Sequence, residues 1–374
     1  MRFFTLFALV WTMAAGALAQ RAIPTINTET PEGQLLQQIG QEEDDAKKTA
    51  LMEQFIAKYP SHEAAVWVYS MMVASYTKTG QHDRALAAGE KALAADPSDL
   101  YTAHAALQAA EAKKDPEAVR RWALLVSGQA RKAAAAPKGQ DEDEEEHKQR
   151  VDFARQLDTY TEYSLFAAGL AAADPKQKIA LFQALEENSP QSQYVGQSRE
   201  HYFVALNQAG ETGAAAGLAE KASAAGNASE EMLAFLGDYY LRQGKELDKA
   251  SEYAGKLVEL VNARPRPEGV NEADWQKRRN QLLGLGYWMS GTAQAMQNKH
   301  AEADKSLRAA LPYLEGNNEL RAVALFHLGV ANYRLGKIPD AIKFNQECIA
   351  IKSPYQAQAQ KNLKAIQAEY RTVR

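Results

Sequence analysis

The feature that most limits the fold of this chain is a pattern of small residues that returns at a fixed period. Tyr76, Gly80, Ala85, Ala92 and Pro97 form one complete instance. The spacing recurs near the other end as Leu328-Gly329, Gly336, Ala341 and Cys348, with Pro354 one residue late. A third copy holds Leu236-Gly237, Tyr240, Gly244, Ala250 and Leu257, and a fourth holds Phe203, Leu206, Gly210, Ala215 and Ala222. Gly291, Ala303, Leu307 and Ala310 mark a fifth. Weaker traces fill the gaps: Ala106, Ala118, Trp122 and Leu125; then Phe166, Phe182, Leu185 and Pro190; and an early Phe55 with Pro60.

Each position has a physical reason. Ala85 and Ala92 lie two helical turns apart on one face, where a small side chain lets a neighbouring helix come close. A glycine five residues before the alanine row is suited to a helix end in the left-handed region. Proline cannot continue the second helix and sets the corner after it. One such helix pair cannot bury its apolar face alone, so pairs must stack.

These residues and their spacing resemble the tetratricopeptide repeat (TPR) family, whose unit is a helix–turn–helix of about 34 residues. The resemblance covers most of residues 31–370. It is strongest over 66–99 and 322–355, and also visible over 196–229, 230–264 and 284–317. The family's usual Trp is replaced in these units by Tyr69, Leu233, Tyr287 and Leu325, all still large and apolar. The implied fold is all-α: an α-solenoid of stacked antiparallel helix pairs winding as a right-handed superhelix, closed by a C-terminal capping helix over 355–370.

The rest of the chain divides around that array. Residues 1–19, MRFFTLFALVWTMAAGALA, place one Arg before an apolar run ending in Ala17-Leu18-Ala19, the pattern of a secretory signal peptide cut before Gln20. The expected location is therefore outside the cytoplasm, periplasmic or secreted. An uncleaved anchor is the alternative, although the apolar run is short for a membrane span. No later segment is apolar enough to cross a bilayer, so no stable membrane insertion is expected after cleavage. Residues 20–30 read as an extended leader, 31–136 as N-terminal repeats and 151–370 as C-terminal repeats. Between them, 137–150 (PKGQDEDEEEHKQR) reads as an acidic linker or loop, because like charges repel. A second loop is expected at 262–274, around Pro265 and Pro267.

Signals of catalysis are few. Ser75-x-x-Lys78 and Lys78-Thr79-Gly80 match two strings used by penicillin-binding proteins and β-lactamases. In those enzymes the motifs face each other across a cleft, but here they share Lys78 and cannot converge. His62-Glu63 begins an H-E-x-x-H string, but the fifth place is Val66. The acidic run lacks the turn glycine and terminal glutamate of an EF-hand loop. With a single cysteine, Cys348, there is no intrachain disulfide and no cysteine-rich zinc site, and its place on an apolar face suits packing. Asn227-Ala228-Ser229 is a formal glycosylation sequon. No cofactor or metal is expected. A balance of 43 basic and 47 acidic side chains gives no drive toward nucleic acid.

The reading that remains is a scaffold for protein or peptide partners, not an enzyme. The alternatives are a structural component of an envelope or secretion assembly, and an enzyme whose catalytic residues are dispersed over helices. The resemblance implies that the first helix of each pair lines a concave surface through its second, fifth, ninth, twelfth and thirteenth places. In the unit from Gly284 these are Leu285, Trp288, Thr292, Ala295 and Met296. In the unit from Ala322 they are Val323, Phe326, Val330, Tyr333 and Arg334. Trp288, Thr292, Phe326, Val330, Tyr333 and Arg334 are accordingly the expected partner-binding residues. The family's Lys/Asn/Arg clamp for C-terminal carboxylates is missing from these places. Buried aromatic anchors for a helix or an extended peptide are the matching mode. Packing of the same side chains against the C-terminal helix is the competing reading.

Overall fold

A computed structural model describes residues 26–372. Among these residues every regular element is a helix. They fold as two compact units that divide between Ala209 and Gly210. Residues 1–19, the expected signal peptide, lie outside the described residues.

The first unit contains α1 (Pro31–Gln41), α2 (Asp45–Lys58), α3 (Ala65–Lys78), α4 (His82–Ala95), α5 (Leu100–Lys113), α6 (Pro116–Ala135), α7 (Glu144–Ala171), α8 (Pro175–Asn188) and α9 (Gln193–Gln208). The second contains α10 (Thr212–Ala224), α11 (Glu230–Gln243), α12 (Leu247–Ala263), α13 (Glu272–Met296), α14 (His300–Ala310), α15 (Asn318–Arg334), α16 (Ile338–Ile349) and α17 (Gln356–Thr372), with a 3-10 turn over Leu311–Leu314. Within each unit a helix packs on its successor and on the next but one, as in α3 with α5, α7 with α9, α11 with α13 and α13 with α15. Short connections force successive helices antiparallel, and the second-neighbour contacts stack one pair on the next.

Helix starts are written in the sequence. Asp115-Pro116 and Asp174-Pro175 each supply a capping carboxylate that accepts backbone N–H groups, followed by a proline at the first turn. Helix ends follow the glycines: Gly80, before α4, has φ 74°, and Gly336, before α16, has φ 72°. After α13 the same left-handed role falls to Asn298, at φ 60°. The small-residue rows are sealed, with Ala85, Ala92, Ala303 and Ala341 all at 0% exposure. In unit 2 a Cβ added to Gly291 would stand 2.6 Å from Leu307, and one on Gly329 2.6 Å from the Asn345 amide. Glycine at this repeat position lets the following helix close on its partner.

One device appears in both units. Buried Tyr76 donates to Glu53 at 3.0 Å, while Arg84 lies over its ring at 4.4 Å. Buried Tyr240 donates to Glu220 at 2.6 Å, with Lys249 over its ring at 4.9 Å. The tyrosine thus ties its own pair to a carboxylate of the preceding helix pair and to a cation of the following helix.

The acidic segment is more ordered than a run of like charges suggests. Helix α7 begins at Glu144, inside the expected linker, and Asp143 with Glu146 forms a reciprocal capping box. Carboxylates in a first helical turn face the positive end of the helix dipole, which offsets their mutual repulsion. Arg150 then binds Glu142 and donates to the carbonyls of Ala133, Ala136 and Pro137, closing the turn between α6 and α7. The Arg150 hydrogen bonds, with the Gly139 backbone N–H, hold the Glu142 carboxyl down at about 2.

Candidate functional site

The expected binding residues in unit 2 sit on the first helices of two successive pairs, α13 and α15. Trp288 is half-buried, and its indole N–H donates to the Leu320 carbonyl at 3.1 Å, which fixes the ring against the start of α15. Phe326 packs on Tyr355 with ring centroids 4.9 Å apart, so its outer face meets the residue that precedes α17. Tyr333 donates to Glu369 on α17 at 2.6 Å. Val330 is half-buried and Arg334 exposed. Thr292 is 5% exposed, and its hydroxyl oxygen has no hydrogen-bond partner. The structure therefore brings Phe326 and Tyr333 against the C-terminal segment, and Trp288 against the α13–α15 seam. Next to Phe326, burial pushes His327 down to about 4, so its imidazole is neutral at physiological pH.

A second face lies in unit 1, on the first helices α5, α7 and α9. Along α5 the residues Tyr101, His104, Gln108 and Glu111 share one side by helical spacing. Helix α7 meets that row. Tyr101 stacks on Phe153 at 4.6 Å and 22°, and His104 meets the edge of Tyr160 at 5.2 Å and 78°. Glu111 accepts hydrogen bonds from Tyr160 at 2.7 Å and Ser164 at 2.5 Å. The aromatic row continues from Tyr160 to Tyr163 and on to Tyr194 of α9, which also stacks on Phe166 at 5.1 Å. Tyr101 keeps 36% of its surface in solvent.

The electrostatics of this face are uneven. Burial raises the Glu111 carboxyl, and the two hydroxyl donors only partly offset that. Among the described residues no Lys or Arg pairs with it. Burial and the neighbouring Glu111 charge together raise the Tyr160 phenol well above its ordinary value. Burial pushes His104 down to about 4, and its Nε2 has no partner. These groups can accept and stack; the Ser164 hydroxyl that donates to Glu111 is 2% exposed, which seals it from a substrate. Elsewhere, burial pushes the Cys348 thiol up to about 11, and its sulfur faces the Ala322 carbonyl at 3.5 Å. No group of three or more His, Cys, Asp or Glu that could hold a metal occurs among the described residues.

Sequence reasoning missed the α5–α7 face, although a signal for it existed. The same second, fifth, ninth and twelfth places, counted from Leu100, fall on Tyr101, His104, Gln108 and Glu111.

No protein-family model matches the chain. No curated protein matches it either. Among solved structures it is similar to one titled as the crystal structure of the APC/C hetero-tetramer Cut9-Hcn1, at 14% identity and a TM-score of 0.33. That match covers 95% of this chain and 59% of the other, so this chain spans less than two thirds of its length. It is also similar to the yeast Tom70 structure, at 14% identity and a TM-score of 0.34, covering 97% of this chain and 70% of that one. Agreement this loose does not superpose a site, and the functional reading rests on the chain's own helices.

Proposed function

We propose that this chain is an interaction scaffold that captures segments of other proteins on the faces of its first helices and performs no chemistry of its own. The observation that carries this reading is the placement of aromatic rings at the inner-face positions. On α5, α7 and α9 they contact one another in a row instead of being sealed in the core. Rings fixed by their neighbours offer large contact area at little entropic cost, the property of an anchor surface. The unit 2 face would use Trp288, Thr292, Phe326, Val330, Tyr333 and Arg334, its rings held by Leu320, Tyr355 and Glu369 instead of by one another. A partner there would share Phe326 and Tyr333 with the C-terminal segment.

The leader pattern of residues 1–19 supports export, to a periplasm or to the exterior. No described helix is long and apolar enough to cross a membrane. Intact mass of the exported protein tests this: a chain beginning at Gln20 is expected, and one retaining residues 1–19 would overturn it.

The scaffold reading is tested by selecting a random peptide library on the full chain and measuring affinity for recovered peptides. Tyr101→Ala, or Trp288→Ala with Phe326→Ala, is expected to weaken binding by about tenfold or more, the loss typical of an interface anchor. A library that yields no saturable binder, or binders indifferent to both sets of substitutions, would contradict it.

A further inference from the structure

The α5–α7 face differs from an ordinary apolar groove in one respect. It holds a half-buried carboxylate, Glu111, without a countercharge among the described residues. Glu111 holds one hydroxyl on each oxygen, Tyr160 on Oε2 and Ser164 on Oε1. Each oxygen retains a second acceptor direction. Tyr160 reaches it through its hydroxyl, and the Tyr163 ring follows that of Tyr160 along α7, with centroids 6.5 Å apart. Aromatic faces carry negative charge density and attract cations within about 6 Å of the centroid. The neutral His104 adds no repulsion, because its pKa lies near 4. The remaining inner positions of α5, Tyr101 and Gln108, are uncharged. Elsewhere in this protein, tyrosines placed beside a carboxylate already hold a cation: Arg84 on Tyr76 with Glu53, and Lys249 on Tyr240 with Glu220. At Tyr160 and Glu111 no corresponding cation stands among the described residues.

We propose that a partner supplies it: the α5–α7 face binds a lysine-bearing peptide whose ammonium group sits between Glu111 and the rings of Tyr160 and Tyr163. This deepens the scaffold reading and rests on it. An ammonium needs one acceptor and an aromatic face, whereas an acidic or C-terminal peptide would meet Glu111 with like charge. The selectivity follows from charge, since an acidic peptide could bury its apolar residues on the same rings only by leaving two carboxylates together.

The test uses the full chain and a short fluorescein-labelled peptide alternating Lys and Leu, read by fluorescence anisotropy at physiological salt. The same peptide with its lysines acetylated, and one with Glu in place of Lys, serve as comparisons. Saturable binding of the lysine peptide is expected, weakened about tenfold or more by acetylation and about tenfold or more by Glu111→Gln, the loss of one charge-assisted contact. Tyr163→Leu keeps bulk but removes a π-face, and is expected to cost about threefold or more. Glu268→Gln, on the exposed loop before α13, removes the same charge and is expected to change nothing, which separates a site from general acidity. If Glu111→Gln alters folding, the Tyr163 variant and the acetylated peptide still decide the question. Failure of the lysine peptide to bind, equal binding of the acetylated form, or indifference to both Glu111→Gln and Tyr163→Leu would overturn the proposal. Should the acetylated peptide bind equally and lose affinity with Tyr101→Ala, the scaffold reading stands and only the cation assignment falls. Should no peptide bind and library selection also fail, both fall.

Discussion

Each unit withdraws a carboxylate from water, and the two are treated in opposite ways. Asp304 in α14 is 5% exposed and receives Arg308 at 2.6 Å, Asn332 at 2.7 Å and Lys337 at 2.8 Å. Arg308 continues to Asn332 Oδ1 and to Asp340, so the cluster joins α14, α15 and α16. Burial pushes the Asp304 carboxyl up, but the Lys337, Asn332 and Arg308 hydrogen bonds outweigh it and hold it below its ordinary range. Glu111 in α5 has two hydroxyls and no cation, and its carboxyl stays raised. A compensated carboxylate joins helices, whereas an uncompensated one costs stability and is expected where a ligand completes it.

The comparison breaks most readily at Asp304. Asp304→Ala would leave Arg308 and Lys337 facing each other and take one of its two acceptors from the Asn332 amide nitrogen, which keeps the Leu328 carbonyl. A loss of about 2–3 kcal/mol is expected by thermal or denaturant unfolding. That is below the roughly 3–5 kcal/mol of a sealed pair, because both cations reach water. A change within about 0.5 kcal/mol would show that the cluster does not bind the helices together.

Overpacking provides a calibration that should not differ between units. Ala85→Leu in unit 1 and Ala341→Leu in unit 2 occupy equivalent sealed positions, and each is expected to cost about 1–3 kcal/mol despite the helix propensity of leucine. Unchanged or raised melting for both would displace the repeat frame.

Glu111→Gln is expected to change stability by no more than about 0.5 kcal/mol at neutral pH, in the stabilising direction, because it removes a charge and keeps an acceptor. The pH dependence gives the sharper contrast. A raised carboxyl binds its proton more tightly folded than unfolded, so its stability contribution is fully present below the ordinary Glu range and is lost as pH rises through the folded value. The gain from Glu111→Gln should therefore shrink on acidification. Asp304 is depressed, so its contribution is present above the ordinary Asp value of 3.8 and is lost as pH falls through the folded value. The deficit of Asp304→Ala should likewise shrink on acidification, but only below about pH 4, and with the opposite sign. Melting scans from neutral to acidic pH measure both. If the Glu111→Gln difference grew on acidification, the sign assigned to that carboxyl would be wrong.

The smallest effect is expected in the turn between α6 and α7. Arg150→Ala should speed proteolytic nicking within 137–143 while leaving global melting nearly unchanged, because four of its hydrogen bonds close only that turn. Equal cleavage rates would show that Arg150 does not hold it.

The helical frame was legible because its signals are demands of backbone and packing. Gly80 and Gly336 are placed by a left-handed φ, Ala85 and Ala341 by the closeness of a neighbouring helix, and Asp115-Pro116 by a helix start. The acidic run misled because charge repulsion was weighed without the helix dipole, the Asp143 capping box or Arg150. The α5–α7 face was hidden for two physical reasons. Its α5 row lies in a repeat whose core positions are weak, and Glu111 meets Ser164 across 53 positions of sequence. The 28-residue α7 is also twice the length of the 14-residue α5 and α8, which removes Tyr160 and Tyr163 from the register of one helix per half-repeat. Whether Trp288 and Phe326 faced a groove or a helix likewise depended on Leu320 and Tyr355, partners that spacing alone does not supply.

The most direct test of the central claim is hydrogen exchange on the full chain with and without the lysine–leucine peptide. The account predicts slowed exchange in 101–111 of α5 and 153–164 of α7, with exchange around Asp304 unchanged, and the same experiment on Glu111→Gln showing neither. Slowed exchange spread evenly over both units, or confined to residues outside the α5–α7 face, would contradict it.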